Sequence, residues 1–129
     1  MKSSPSPQVI AWISGQTAGS LFTTTITIAE VLFGAEILPK GKRRDLLLQQ
    51  AEATFAQDFA DQVLSFDEAS ARLFAAITAS RRSQGRPMGT FDAQIAAIAR
   101  ANGAMLATRD TADFEGCGVY LINLWNEGS

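Results

Sequence analysis

Residues 89–110 constrain this 129-residue chain more than any other stretch. They read Gly89-Thr90-Phe91-Asp92-Ala93-Gln94-Ile95-Ala96-Ala97-Ile98-Ala99-Arg100-Ala101-Asn102-Gly103, then Ala104-Met105-Leu106-Ala107-Thr108-Arg109-Asp110. The pattern predicts a helix with Thr90 as N-cap and Gly103 at C′. A short apolar strand over 105–107 follows. Asp92 falls in the first helical turn on a face shared with Ile95, Ala96 and Ala99, and Asp110 comes just past the strand. One crossover of this kind aims two carboxylates at the carboxyl edge of a sheet, where open α/β proteins place their ligands.

The remaining elements fit the same plan. Residues 3–7 are Ser/Pro-rich and read as extended chain or linker. Residues 8–14, with Val9, Ile10, Trp12 and Ile13, read as a short amphipathic helix, and 15–20 as a loop. A strand is expected over 21–24 and a helix over 25–38, its apolar stripe formed by Ile26, Ala29, Phe33 and Ile37. Glu30 lies inside that stripe, whereas Glu36 points to solvent. A helix over 43–59 carries Leu46, Leu47, Gln50, Ala53 and Ala56 on overlapping faces. A strand over 63–66 precedes a helix over 68–84, with Ala71, Phe74, Ala75 and Thr78 on one side. Residues 111–114 form a single turn and 119–122 the last strand. Strands alternating with helices at crossover spacing give one α/β domain with a mainly parallel sheet.

Composition narrows the chemistry. The chain has no histidine and one cysteine, Cys117, with 47% hydrophobic residues and a formal net charge of -2. The lack of histidine excludes Ser-His-Asp and Cys-His catalysis and histidine metal sites. A hydrolytic site must then use carboxylates, hydroxyls and hard cations bound through oxygen. No internal disulfide can form, no run approaches a membrane span and no signal peptide is evident, so a cytoplasmic protein is expected.

Each acid has an ordinary structural reading beside the functional one. Glu30 can be a partly exposed residue at the edge of the stripe. Asp92 can complement the helix dipole, an effect of about 0.3–1 kcal/mol. Asp110 can cap the 111–114 turn, and Asp113 can be a solvated turn residue. Taken together, Glu30, Asp92 and Asp110 on three separate elements suggest an oxygen-ligand site for Mg2+ or Mn2+. Lys40, Lys42, Arg43, Arg44, Arg81, Arg82 and Arg86 are candidates for phosphate contacts, or simply surface charge at helix ends.

The run Thr25-Ile26-Thr27-Ile28-Ala29-Glu30-Val31-Leu32-Phe33-Gly34 resembles the second acidic motif of PIN-domain ribonucleases, in particular the VapC/FitB-like toxins of bacterial toxin–antitoxin pairs. Phe91-Asp92-Ala93-Gln94-Ile95-Ala96-Ala97 resembles the third motif, and Ala107-Thr108-Arg109-Asp110-Thr111 with Asp113-Phe114 the fourth. Leu64-Ser65-Phe66-Asp67-Glu68 and Ile122-Asn123-Leu124-Trp125 are also typical of that branch. The resemblance implies a three-layer α/β/α fold over a single domain, 1–129. It implies Mg2+- or Mn2+-dependent endoribonuclease activity, a cognate antitoxin and a homodimer to which Val9, Ile10, Trp12 and Ile13 could contribute. Glu30, Asp92 and Asp110 would be metal-site acids, Thr108 a supporting hydroxyl and Asp113 an extra acid. Lys42, Arg43, Arg82 and Arg86 would contact RNA.

One departure stands out. Family members begin with an apolar central strand that ends in an aspartate, of the form Asp-Thr-Asn, and that aspartate is the first metal ligand. This sequence has neither, and no acid precedes Glu30. Either the strand lies upstream of Met1 in the gene, which is the expectation, or the chain is truly shortened. A shortened chain would bind antitoxin or self-associate without cleaving. A phosphatase-like hydrolase with an aspartate nucleophile is a third reading, but no phosphate-cradling Gly-rich loop supports it.

Overall fold

The computed structural model describes residues 10–13, 21–108 and 111–122. Their elements are, in order, β1 (Ile10–Ile13), β2 (Leu21–Thr24), α1 (Thr25–Glu36), α2 (Lys42–Asp58), β3 (Val63–Leu64), α3 (Glu68–Ser83), α4 (Thr90–Ala101), β4 (Ala104–Ala107), a 3-10 turn (Thr111–Phe114) and β5 (Leu121–Ile122). The strands form one sheet in the order β3-β2-β1-β4-β5. The α/β class expected from the sequence holds, and nine of these elements begin within two residues of their expected start. The loop expected over 15–20 and the tail after Ile122 lie outside the described residues.

The largest correction falls on residues 8–14. The helix expected there is a strand over Ile10–Ile13, antiparallel to both β2 and β4. A short apolar run cannot be assigned to helix or strand by periodicity alone. Pairing on both sides decides it, because two ladders satisfy the segment's backbone groups. Strand β1 occupies the centre of the sheet. Parallel pairing is confined to the flanks, β2 with β3 and β4 with β5. Since β1 is antiparallel to both neighbours, β2 and β4 run in the same direction. Thr24, Leu64, Ala107 and Ile122 therefore end at one sheet edge.

The core is built around α4. Ile95, Ala96, Ala97, Ile98 and Ala99 are all fully buried, so the helix is covered nearly all round. Alanines allow α3 and β4 to approach closely. Ile77, Ile95, Leu106, Phe114 and Cys117 form the packed centre. The helix ends as expected, with Gly103 at φ +63, a conformation glycine adopts without steric cost. Its start differs: Gly89 is the N-cap and supplies no side-chain cap, while Thr90 is the first helical residue.

Two expected stripes are also corrected. On α1, Thr27 and Ala35 are buried, whereas Phe33 and Ile37 are exposed. On α3, the buried positions are Ser70, Ile77 and Arg81, spaced i, i+7, i+11, rather than the Ala71/Ala75 side. In both helices the neighbouring elements, not the most apolar arc, select the covered face. Helix α2 packs on α1 and leaves Leu46 and Leu47 exposed. The turn between them is closed by Arg44, which donates to the Glu36 carbonyl at 3.2 Å and pairs with its carboxylate. Arg44 is thus occupied within the fold.

Candidate functional site

Chain direction brings the candidate acids to the carboxyl edge. Strand β2 ends at Thr24, which caps α1: its Oγ1 accepts the Thr27 N–H at 2.9 Å and lies 2.8 Å from the Thr27 hydroxyl. Both threonines are buried. This fixes the departure of α1 from the sheet, and Glu30 follows in its second turn. Helix α4 precedes β4 and returns toward the beginning of that strand, so its N-terminus, with Asp92 in the first turn, lies at the carboxyl edge.

Glu30 and Asp92 line one open cavity of about 350 Å3, together with Gly89, Thr90 and Phe91. Both acids are partly buried, and each engages in interactions within the fold. Thr108 directly follows β4, is buried, and its backbone N–H donates to the Ile122 carbonyl at 3.0 Å. It too has interactions within the fold. Asp110 lies outside the described residues. Asp113 is exposed on the 3-10 turn and also has interactions within the fold.

The basic candidates separate. Lys42 lines a different cavity with Asp45, Leu46, Leu48, Gln49 and Glu52, and Arg43 is exposed beside it on α2. Arg82 is exposed at the end of α3. Arg86 lies three residues before Gly89 and pairs with Glu115 at 3.4 Å. Arg81 leaves the list of phosphate contacts altogether. It is buried, donates from Nε to the Arg86 carbonyl at 2.7 Å, and donates from Nη1 to the carbonyls of Asp113 and Glu115 at 3.1 and 2.8 Å. Periodicity gave no hint of this role, because a cation in the last helical turn is normally a surface residue.

Beside Arg81, Cys117 is buried, with Sγ 3.3 Å from the Met88 sulfur. Burial pushes the thiol pKa up, and the nearby Arg81 guanidinium partly opposes that shift. Sequence reasoning also missed Phe91 as a wall of the cavity, although its place next to Asp92 was a usable signal.

The structure is thus an α/β protein with carboxylates from two helices lining a cavity at the carboxyl edge of its sheet, where such folds place their ligands. The chain matches the PIN domain over residues 3–116, and it belongs to that family. It is 43% identical over 121 residues to plasmid stability protein StbB of Pseudomonas syringae pv. tomato, covering 94% of this chain and 87% of that protein. It is 40% identical over 124 residues to VapC ribonuclease Y4jK of Sinorhizobium fredii, covering 96% and 89%. Its fold is similar to a structure of FitAB bound to DNA, with a TM-score of 0.75, 31% identity and coverage of 84% of this chain and 76% of that one. It is similar also to VapBC-5 of Mycobacterium tuberculosis, a member of a family of toxin–antitoxin systems, with a TM-score of 0.67, 27% identity and coverage of 79% and 80%. Its relatives thus include VapC-type ribonucleases, and its structural neighbours are VapBC and FitAB complexes.

Proposed function

We propose that this chain is the toxin of a toxin–antitoxin pair and a metal-dependent endoribonuclease that hydrolyses RNA phosphodiester bonds. The observation that carries the proposal is the meeting of Glu30 and Asp92, from two helices, in one cavity at the carboxyl edge of the sheet. The donor set fits Mg2+ or Mn2+: the acids offer hard oxygen ligands, and the chain has no histidine. Among the described residues no group of three potential ligands forms. Glu30 and Asp92 are the described acids of the site, and Asp110 is assigned as a third. When bound, such a cation lowers the pKa of a water and offsets charge on the phosphate.

The protein's own residues supply position. Thr24 and Thr27 fix α1 and with it Glu30, and the first turn of α4 holds Asp92. Thr108 supports the end of β4, from which Asp110 follows, and Asp113 is an outer acid. Arg82 and Arg86 are assigned to RNA phosphates from the α3–α4 side, and Lys42 and Arg43 to more distant ones. The similar FitAB and VapBC complexes support a cognate antitoxin as partner. We assign a homodimer and a cytoplasmic location on the same family reading; no helix among the described residues is long and apolar enough to cross a membrane.

RNA cleavage by the purified chain with Mg2+, and its loss with EDTA, is the direct test. Cleavage that persists without metal would refute the proposed chemistry. A second reading, a catalytically impaired protein that binds antitoxin or self-associates, is favoured by one observation. Strand β1 fills the centre of the sheet in the reverse direction, so its C-terminal end lies at the opposite edge from Glu30 and Asp92. Calorimetry with Mg2+ separates the readings: a saturable site in this chain counts against the impaired one.

A further inference from the structure

The large apolar side chains exposed among the described residues fall into different settings. Phe33, Ile37, Leu46 and Leu47 lie on the α1–α2 pair, and Tyr120 precedes β5. Phe91 differs because it lines the cavity that Glu30 and Asp92 share. Its helical phase is that of the core. Phe91, Ile95 and Ile98 are spaced i, i+4, i+7, and both isoleucines are fully buried. Phe91 is nevertheless 43% exposed, because the first turn of α4 extends past the packed centre to the sheet edge. The ring is therefore a flat apolar surface at the mouth of an acid-lined cavity.

We propose that Phe91 is a stacking platform for one nucleobase of single-stranded RNA whose phosphate reaches the Glu30–Asp92 cavity. The proposal rests on the ribonuclease reading above and adds a base subsite to it. A cavity of about 350 Å3 lies within the usual range for small-ligand sites. Its walls differ in chemistry. The carboxylates suit a cation and hence a phosphate, while the phenyl ring suits a π-face. A nucleotide presents these two groups in adjacent positions. A phenyl ring has no hydrogen-bonding group, so the platform accepts any base and contributes affinity rather than sequence choice.

The test uses a short single-stranded RNA carrying a fluorescent purine analogue whose emission is quenched by stacking, and an otherwise identical oligomer with that base removed. Binding to the full chain with Mg2+ is followed by stopped flow, before cleavage. The expected result is about tenfold tighter binding of the base-bearing oligomer, with quenching. Phe91→Ala should lower its affinity to that of the abasic oligomer, and Phe91→Trp should keep both the difference and the quenching. Circular dichroism checks that each variant is folded. If Phe91→Ala binds the base-bearing RNA as tightly as the parent while Asp92→Asn weakens both oligomers, the platform is refuted and the cavity reading stands. If the parent binds neither oligomer, the ribonuclease reading fails and the platform with it. If Phe91→Ala leaves RNA affinity unchanged but turns a dimer into a monomer in sedimentation, Phe91 is a contact between copies and the proposal is overturned.

Discussion

The Arg81 guanidinium donates from Nη1 to the Glu115 carbonyl oxygen at 2.8 Å, tying the end of α3 to the turn that precedes β5. The same nitrogen reaches the Asp113 carbonyl, and Nε reaches that of Arg86. One buried cation thus satisfies three backbone acceptors from two segments. Removing it leaves these carbonyls short of donors, at about 1–3 kcal/mol for each one that water cannot reach. Arg81→Leu should destabilise the fold by about 2–4 kcal/mol in urea denaturation. Arg81→Lys should recover only part, since an ammonium lacks the planar fork. Full stability in Arg81→Leu would show that the clamp is incidental.

Cys117 offers an independent reading of the same region. Its thiol is buried and its pKa raised by that burial, so little thiolate forms at neutral pH and little of the sulfur is accessible. In the native chain it should react with a maleimide far more slowly than in urea. The Arg81→Leu variant should react faster than the parent under native conditions. Equal rates in native and unfolded protein would contradict the burial.

Thr24 holds the start of α1 by accepting the Thr27 N–H and contacting the Thr27 hydroxyl. Thr24→Val keeps the shape and removes both contacts, and should cost about 1–2 kcal/mol. Thr24→Ser should retain most of the cap. Thermal melts of the two variants measured side by side decide this.

Asp67 caps α3 through the Ser70 N–H at 2.9 Å, and that hydrogen bond holds its carboxyl pKa below the usual 3.8. The folded state therefore prefers the ionised cap. This contribution is complete above the unfolded pKa, about 3.8, and is lost as pH falls from there through the lower folded value. Asp67→Asn should flatten that acid limb of the Tm profile and leave its neutral-pH shape unchanged. An identical acid limb in the variant would exclude Asp67 as its source.

Asp92→Asn and Glu30→Gln should each reduce RNA cleavage by about 10²–10³-fold with little change in Tm. Magnesium binding by calorimetry should weaken in parallel. Cleavage at the parent rate in either variant removes that residue from the site.

Much of this was legible in the sequence because it depends on local chemistry. The start of α3 and the end of α4 follow from a cap and a turn residue: Asp67 and Gly103 act within a few residues of themselves. Of the two acids that share the cavity, Asp92 was singled out from its place in the first turn of α4, and Glu30 from its place in the expected α1 stripe and from its motif. The sequence was less informative about faces. It placed Phe33 and Ile37 on the covered side of α1, and Ala71 and Ala75 on that of α3, because hydrophobicity marks an apolar arc without saying which neighbour will arrive.

The sequence by itself determined the α/β class and the order of the elements from β2 onward, since residue types, caps and spacing act at short range. Only the tertiary structure decided that Ile10–Ile13 is a strand at the centre of the sheet, running against both neighbours, because its backbone partners come from β2 and from the distant β4. Only it decided that Arg81 faces inward, because the three carbonyls that hold it belong to segments the helix does not contain. The meeting of Glu30 and Asp92 has the same origin: two helix starts face one cavity when their strands end at the same edge, and strand direction is set by pairing across the whole sheet.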